Sequence, residues 1–345
     1  MRPPQDPRSI TLHGLAALAQ AFGPALRLSH LVDAGLDRIP VPARGATRVR
    51  WSMLAAVGAL DLSLAKLYEG HTDALAILEE LDGPEANAGS RWGTWCAEPP
   101  DARLAMRSST DGDPRALWLE GRKAWCSGAA EATHAIVSGW NEKGEPWLAA
   151  VDLAQPEIEI TTEGWPAVGM ADSRSVDVHF HGAKAIAVGN PGDYTRRPGF
   201  WQGGAGIAAC WLGAAAAIAS AVQRRSSESS DPHRLAHLGA IDVAIQPAFA
   251  LMREAAAWID ANPRADAQAV ALGARLAVEC TADEVLRHAG RALGAGPLCR
   301  DPWLARAMAD LPIYLRQSHA ERDLQQLGKL RCAQAERGEA LPWML

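Results

Sequence analysis

Gly121-Arg122-Lys123-Ala124-Trp125-Cys126-Ser127-Gly128 is the stretch on which the reading of this 345-residue chain turns. It falls where one apolar run ends and the next begins, so it reads as the join between two strands. A tryptophan two positions before a hydroxyl suits a flat aromatic ligand. The indole covers a ring face, and Ser127 donates from side chain or backbone to a ring nitrogen. The bland alternative is a tryptophan packed beside a turn. Upstream, Trp92-Gly93-Thr94-Trp95-Cys96-Ala97-Glu98-Pro99-Pro100 is an apolar strand running into an acidic, proline-rich turn.

Around these segments, from about Arg91 to Val188, short apolar runs such as Ala135-Ile136-Val137 and Trp147-Leu148-Ala149-Ala150-Val151 are separated by Gly, Pro, Asp and Asn. The clearest strand is Val176–His181, where Val176, Val178 and Phe180 alternate with Asp177, His179 and His181. Eight or so short strands at even spacing predict an antiparallel barrel or sandwich. Before this zone the pattern is helical: Leu12, Leu15, Leu18 and Phe22, a break at Ile39-Pro40-Val41-Pro42, then Met53, Leu54, Val57, Leu60, Leu64 and Leu67. After it the helical period returns, rich in alanine, with breaks at Ser226–Pro232, Asn262-Pro263 and Gly294–Pro302 that divide it into about four helices.

Composition narrows the function classes. Lys+Arg 34 against Asp+Glu 40 gives a net charge of -6, which disfavours a nucleic acid partner. Hydrophobic residues at 48% describe a folded chain. Six scattered cysteines without a C-x-x-C pair argue against a zinc site and a disulfide scaffold, and fit a cytoplasmic protein. Met1–Ser9 lacks the apolar core of a signal peptide. Pro198–Gln223 carries no charge, but its many Ala and Gly favour a helix packed inside a bundle over a membrane span.

Taken together, Cys96-Ala97-Glu98-Pro99 and Lys123-Ala124-Trp125-Cys126-Ser127 resemble two β-domain motifs of the acyl-CoA dehydrogenase family, Thr-Glu-Pro and Lys-x-Trp-Ile-Thr/Ser. Leu60–His71, Asp172–Gly192, Leu293-Gly294-Ala295-Gly296 and Ala309-Asp310-Leu311 extend the resemblance over most of the chain. It implies an α+β multidomain fold: an α-helical N-domain (1–88, shortened), an antiparallel β-barrel middle domain (89–195) and a four-helix C-terminal bundle (196–345). It also implies FAD, with FMN as an option, held by Trp95, Cys96, Ala97, Trp125, Cys126 and Ser127. In relatives the motif tryptophan lies by the isoalloxazine and the following hydroxyl residue bonds flavin N5; these map to Trp125 and Ser127. The activity implied is α,β-dehydrogenation of an acyl-CoA or other acyl thioester. Electrons would pass to an electron-transfer flavoprotein, from a homodimer or homotetramer without membrane contact.

The departures point elsewhere. Ala97 replaces the motif threonine, a loss on the order of 1 kcal/mol in ligand contact. The family's diphosphate-binding Arg-x-x-Phe-Gly segment is missing. Its catalytic glutamate falls near Ser318, and a neutral serine cannot act as a carboxylate base. Ser318-His319 instead resembles the Ser and His with which dibenzothiophene-monooxygenase-type relatives stabilise a flavin hydroperoxide, making a flavin-dependent monooxygenase the alternative. A catalytically degenerate homologue is the third reading. His319 and Asp323 one turn apart also fit a solvated helix face. Asp177, His179 and His181 share a strand face, and chance alternation explains them better than a metal site; no metal is expected. Gly204-Ala205-Gly206 reads as close helix packing, and His71 as a core histidine.

Overall fold

The computed structural model describes residues 7–109, 112–340 and 343, so most of the Met1–Ser9 stretch lies outside the described residues. In chain order come helices α1 (Pro7–Phe22), α2 (Leu28–Asp33), α3 (Thr47–Leu60) and α4 (Leu62–Glu80). Seven strands follow: β1 (Trp92–Trp95), β2 (Leu104–Ser108), β3 (Ala116–Cys126), β4 (His134–Trp140), β5 (Pro146–Asp152), β6 (Ile158–Ile160) and β7 (Val176–Val188). The chain ends in α5 (Asp193–Arg196), α6 (Pro198–Arg224), α7 (Pro232–Ala261), α8 (Gln268–Leu293), α9 (Ala295–Arg300), α10 (Pro302–Tyr314) and α11 (Glu321–Glu336). Two compact units form, Met1–Val41 with Ser63–Phe200, and Pro42–Leu62 with Trp201–Leu345. The helical run read as one face through Leu67 is two helices broken at Asp61, and α3 clusters with the second unit.

In the first unit the strands close a ring: β4 pairs β2, β2 pairs β3, β3 pairs β7, β7 pairs β5, and β5 returns to β4. The expectation of a wholly antiparallel barrel needs correction at one edge. β1 lies parallel to β4, with Trp92 opposite His134 and Trp95 opposite Val137, and β2 also meets β4 in parallel. A parallel neighbour is possible because β1 arrives from α4 rather than through a hairpin. The alternation read in Val176–His181 holds: Val178 and Phe180 are fully buried, and His181 is exposed. They join Leu104, Met106, Leu119 and Val137 inside the barrel, each such side chain contributing about 1.5–3 kcal/mol.

The quoted octapeptide is not a join between strands. β3 runs through it to Cys126, with register shifts at Leu119/Glu120 and Lys123/Cys126. Gly121 sits at φ +121° where an added Cβ would lie 2.5 Å from the Arg103 carbonyl oxygen. Gly121 is paired on both sides, with Leu104 and Phe180, and marks the close approach of the Arg103 carbonyl, while the extra residues of the two shifts are Gly182 in β7 and the Ala124-Trp125 step in β3; a glycine inside a long strand has the same local composition as a turn.

Helix α4 seals the other face of β4 and β5. Ala74, Ile77 and Leu78 pack on Trp92, Ile136, Leu148 and Val188, so β4 is buried on both sides. Buried Arg197 reaches Glu80 at 2.8 Å and Asp73 at 3.3 Å, pinning α4 to the segment after α5. His71 is buried, and its Nδ1 accepts the Trp92 backbone N–H at 3.0 Å. Nε2 must then carry the proton, which it donates to Asp37 at 3.3 Å. This is the satisfied core histidine expected from its helix.

In the second unit α3 and α6 touch backbone to backbone. A Cβ on Gly58 would overlap the Cys210 carbonyl, and one on Gly213 the Ala55 carbonyl; one on Gly206 would press Leu54 at 3.0 Å. Among the described residues two helices, α6 and α7, are long and apolar enough to cross a membrane. The apolar window of α6 is 72% buried within the chain.

Glycine substitutions should therefore diverge in sign. Gly213→Ala overpacks a rigid carbonyl and is expected to cost about 1–3 kcal/mol. Gly328→Ala, in α11 with nothing within 4 Å of the new methyl, is expected to gain roughly 0.5–1 kcal/mol from helix propensity. Thermal unfolding of the two variants checks both signs.

Candidate functional site

The site residues on the first unit gather where β1 and β3 end. Lys123 lies in β3 with its side chain fully buried, an arrangement tolerated only when every N–H and the charge are matched. Its ammonium donates to the Ala97 carbonyl at 2.7 Å, to Glu98 Oε1 at 2.8 Å and to Ser138 Oγ at 3.0 Å. Ser138 passes a hydrogen bond on to the same carboxylate, and Trp140 Nε1 donates to Glu98 Oε2 at 2.9 Å. Arg103 covers the Trp140 ring at 4.4 Å. The Ala97–Glu98 turn is thus clamped from inside the barrel. Lys123 and Glu98 stand in the two motifs, but their part in holding this turn was not read from the sequence, because lysine is ordinarily a surface residue. The signal was present: in period-two register Lys123 falls on the inward side of β3.

The two motifs meet directly. Trp95 is buried in the barrel core and its Nε1 donates to the Ser127 carbonyl at 3.1 Å. Cys126 is fully buried in the same core, and burial holds its thiol well above the usual range. Cys96 turns instead toward the α4-side cluster near Tyr194. Burial pushes its pKa up to about 11, against the opposing pull of Lys123. Both thiols are therefore protonated and inert at neutral pH. A ligand would meet Cys96, Ala97 and Cys126 through backbone alone.

Trp125 differs from all of these. Its φ is +58°, a left-handed conformation rare for a bulky residue, and its side chain is 51% exposed. An apolar ring is held out at the strand end by a costly backbone geometry. Next to it, Ser127 Oγ lies 2.8 Å from Ser175 Oγ, which lies 2.8 Å from Ser173 Oγ. Ser173 donates to the Met170 carbonyl at 2.7 Å, and each hydroxyl has one hydrogen. The direction is therefore fixed from Ser127 through Ser175 to Ser173, leaving Ser127 Oγ with lone pairs to accept. Beside this wall is a recess lined by Leu28, Leu67, Trp92, Trp95, Ser127 and Glu131.

Ser318 and His319 lie on the second unit, between α10 and α11. Ser318 is buried and its hydroxyl accepts the Ala320 N–H at 3.2 Å. His319 is exposed, its backbone N–H bound by Asp323 at 3.0 Å and its ring 3.6 Å from the same carboxylate. This matches the solvated helix face weighed above. Arg275 steadies the segment: one guanidinium nitrogen donates to the Gln317 carbonyl at 3.0 Å and another to the Gly204 carbonyl at 2.8 Å, with the Trp211 ring 5.1 Å away. Among the described residues no three His, Cys, Asp or Glu side chains come together as a metal site.

No family model matches the sequence, and no curated protein does either. Solved structures do match. The dibenzothiophene monooxygenase of Paenibacillus sp. A11-2, in its FMN-bound form, superposes with a TM-score of 0.80 at 18% identity, covering 92% of this chain and 96% of that one. The methanesulfinate monooxygenase of Pseudomonas fluorescens gives 0.79 at 20% identity, covering 98% of each chain. The nitrososynthase of Micromonospora carbonacea var. africana gives 0.77 at 17% identity, covering 95% and 97%. The mixed architecture of strand barrel and helices is the fold these flavin enzymes share with the acyl-CoA dehydrogenases.

Proposed function

We propose that the chain is a flavin-dependent monooxygenase using FMN, which oxygenates a small substrate with dioxygen. The carrying observation is Trp125, an exposed indole held at positive φ beside a hydroxyl whose oxygen is left to accept. The geometry fits a planar conjugated ring: Trp125 would cover one face, Ser127 would accept from a ring N–H, and the clamped Ala97 backbone would meet its edge. When bound, the reduced flavin supplies the electrons that divide dioxygen between substrate and water. The chain's own part is to orient that ring and exclude water from the face that Trp125 covers.

Three observations favour this over dehydrogenation of an acyl thioester. In the resemblance read from the sequence, Ser318 falls near the place of the carboxylate base, and a neutral hydroxyl cannot take that part. The FMN-bound neighbour is a monooxygenase, and one of its structures holds indole as well. Two further neighbours act on a sulfinate or form a nitroso compound, as their names state, and neither name refers to a thioester.

Titration of the purified protein with FMN and with FAD, followed by flavin fluorescence, tests the cofactor. FMN is expected to bind, and Trp125→Ala to weaken it about tenfold, the equivalent of roughly 1.4 kcal/mol of ring contact. Supplied with FMN, NADH and a flavin reductase under 18O2, the protein is expected to place one labelled oxygen in a substrate such as indole or an alkylsulfinate. Conversion of acyl-CoA to enoyl-CoA without oxygen would overturn the assignment. Lys123→Met should act through position alone. It strands the Glu98 carboxylate, is expected to cost about 3 kcal/mol because Glu98 keeps some water, and should weaken FMN binding. Lys123→Met/Glu98→Gln should recover part of that stability in thermal unfolding.

A further inference from the structure

Arg103 closes the turn that carries Ala97 and Glu98, one residue before β2 begins at Leu104. Its side chain is exposed but not loose. The guanidinium carbon lies 4.4 Å from the centre of the Trp140 ring, so the charge is stacked on an indole. Trp140 is itself fixed, because its Nε1 donates to Glu98 Oε2 at 2.9 Å and Lys123 holds Glu98 from inside the barrel. Stacking uses the flat face of a guanidinium and leaves its N–H groups, which lie in the plane, unspent. No carboxylate or carbonyl among the described residues takes them up. The carboxylates nearby have cations of their own: Glu98 has Lys123, while Asp101 and Asp177 share Arg122 at 2.7 Å and 2.5 Å. Of the three cations at the clamped turn, two are spent and Arg103 is not.

We propose that Arg103 is the seat of an oxyanion, and that the oxyanion is the phosphate of FMN, so that this residue makes the chain select the phosphorylated flavin over riboflavin. The inference rests on the flavin reading and extends it from the ring to the group the ring carries. A phosphate monoester brings about two negative charges at neutral pH and oxygens that a guanidinium fork meets in pairs. The stack on Trp140 holds that fork in place before the ligand arrives, so little rotamer freedom is lost on binding. A small anionic substrate is the other source of such a group. It would have to lie against the reacting face of the ring, whereas Arg103 belongs to the turn that meets the ring's edge.

Fluorescence titration of the full chain with FMN and with riboflavin, which differ only in the phosphate, tests the assignment without turnover. The parent is expected to bind FMN at least tenfold more tightly than riboflavin, and added inorganic phosphate or salt should weaken FMN alone. Arg103→Gln should remove about a tenfold share of FMN affinity and leave riboflavin where it was, and Arg103→Lys should recover part of it as a point charge. Trp140→Leu, which takes away the platform, should act in the same direction as Arg103→Gln. Trp125→Ala should instead weaken both flavins alike, since it touches the ring. Equal affinity of the parent for the two flavins would overturn the proposal while leaving the flavin reading in place. So would a preference for FMN that survives Arg103→Gln, or an Arg103→Gln variant that binds both flavins like the parent but shows a raised KM for an alkylsulfinate, which would give the guanidinium to the substrate. Failure of the parent to bind either flavin would overturn both readings together.

Discussion

A lysine ammonium with no solvent contact sits inside the barrel, and the candidate site depends on how it is satisfied. Its three hydrogens go to three groups, Ala97 O, Glu98 and Ser138, which belong to the turn after β1 and to β4. Because the ammonium itself hangs from β3, one side chain fixes three segments of backbone. Leaving any partner out would strand charge in an apolar interior. The turn after β1 and the end of β3 are consequently held in register, and Trp125 can occupy an unfavourable backbone region because its surroundings over-determine it.

Indole groups extend the same logic across both units. Trp92 donates to Ser90, Trp147 to the Gly189 carbonyl, Trp165 to the Gly169 carbonyl and Trp303 to the Leu60 carbonyl. Each ring fills volume while its N–H ties down a loop or helix end, two tasks that phenylalanine cannot combine. With 13 Trp against 4 Phe, the composition favours the side chain that does both.

Much of this architecture was legible from the chain because it rests on local rules. The alternation in β7 was visible since only one of its sides is packed away, and helix ends near Pro232, Asn262 and Gly294 follow from residues that break helices. Other features needed the third dimension. A single Asp61 divides α3 from α4, too short a break to read as a boundary. Gly121 punctuates a strand without ending it. The motif residues were found, but their division of labour was not. Trp95 and Cys126 serve the core, Cys96 faces the helices, and among these motif residues Trp125 and Ser127 keep side-chain groups available to a ligand. Burial of that kind is decided by which strand lies opposite, and no window of sequence contains that information.

The contact between α3 and α6 has its own corollary. Where two main chains meet with only hydrogen atoms between them, the residues there cannot be chosen for polarity, because any longer group would hold the helices apart. Alanine and glycine then accumulate for reasons of clearance, and charge disappears as a by-product. A hydropathy profile registers the outcome as if a lipid environment had selected it, whereas the selecting agent is the carbonyl of a neighbouring turn.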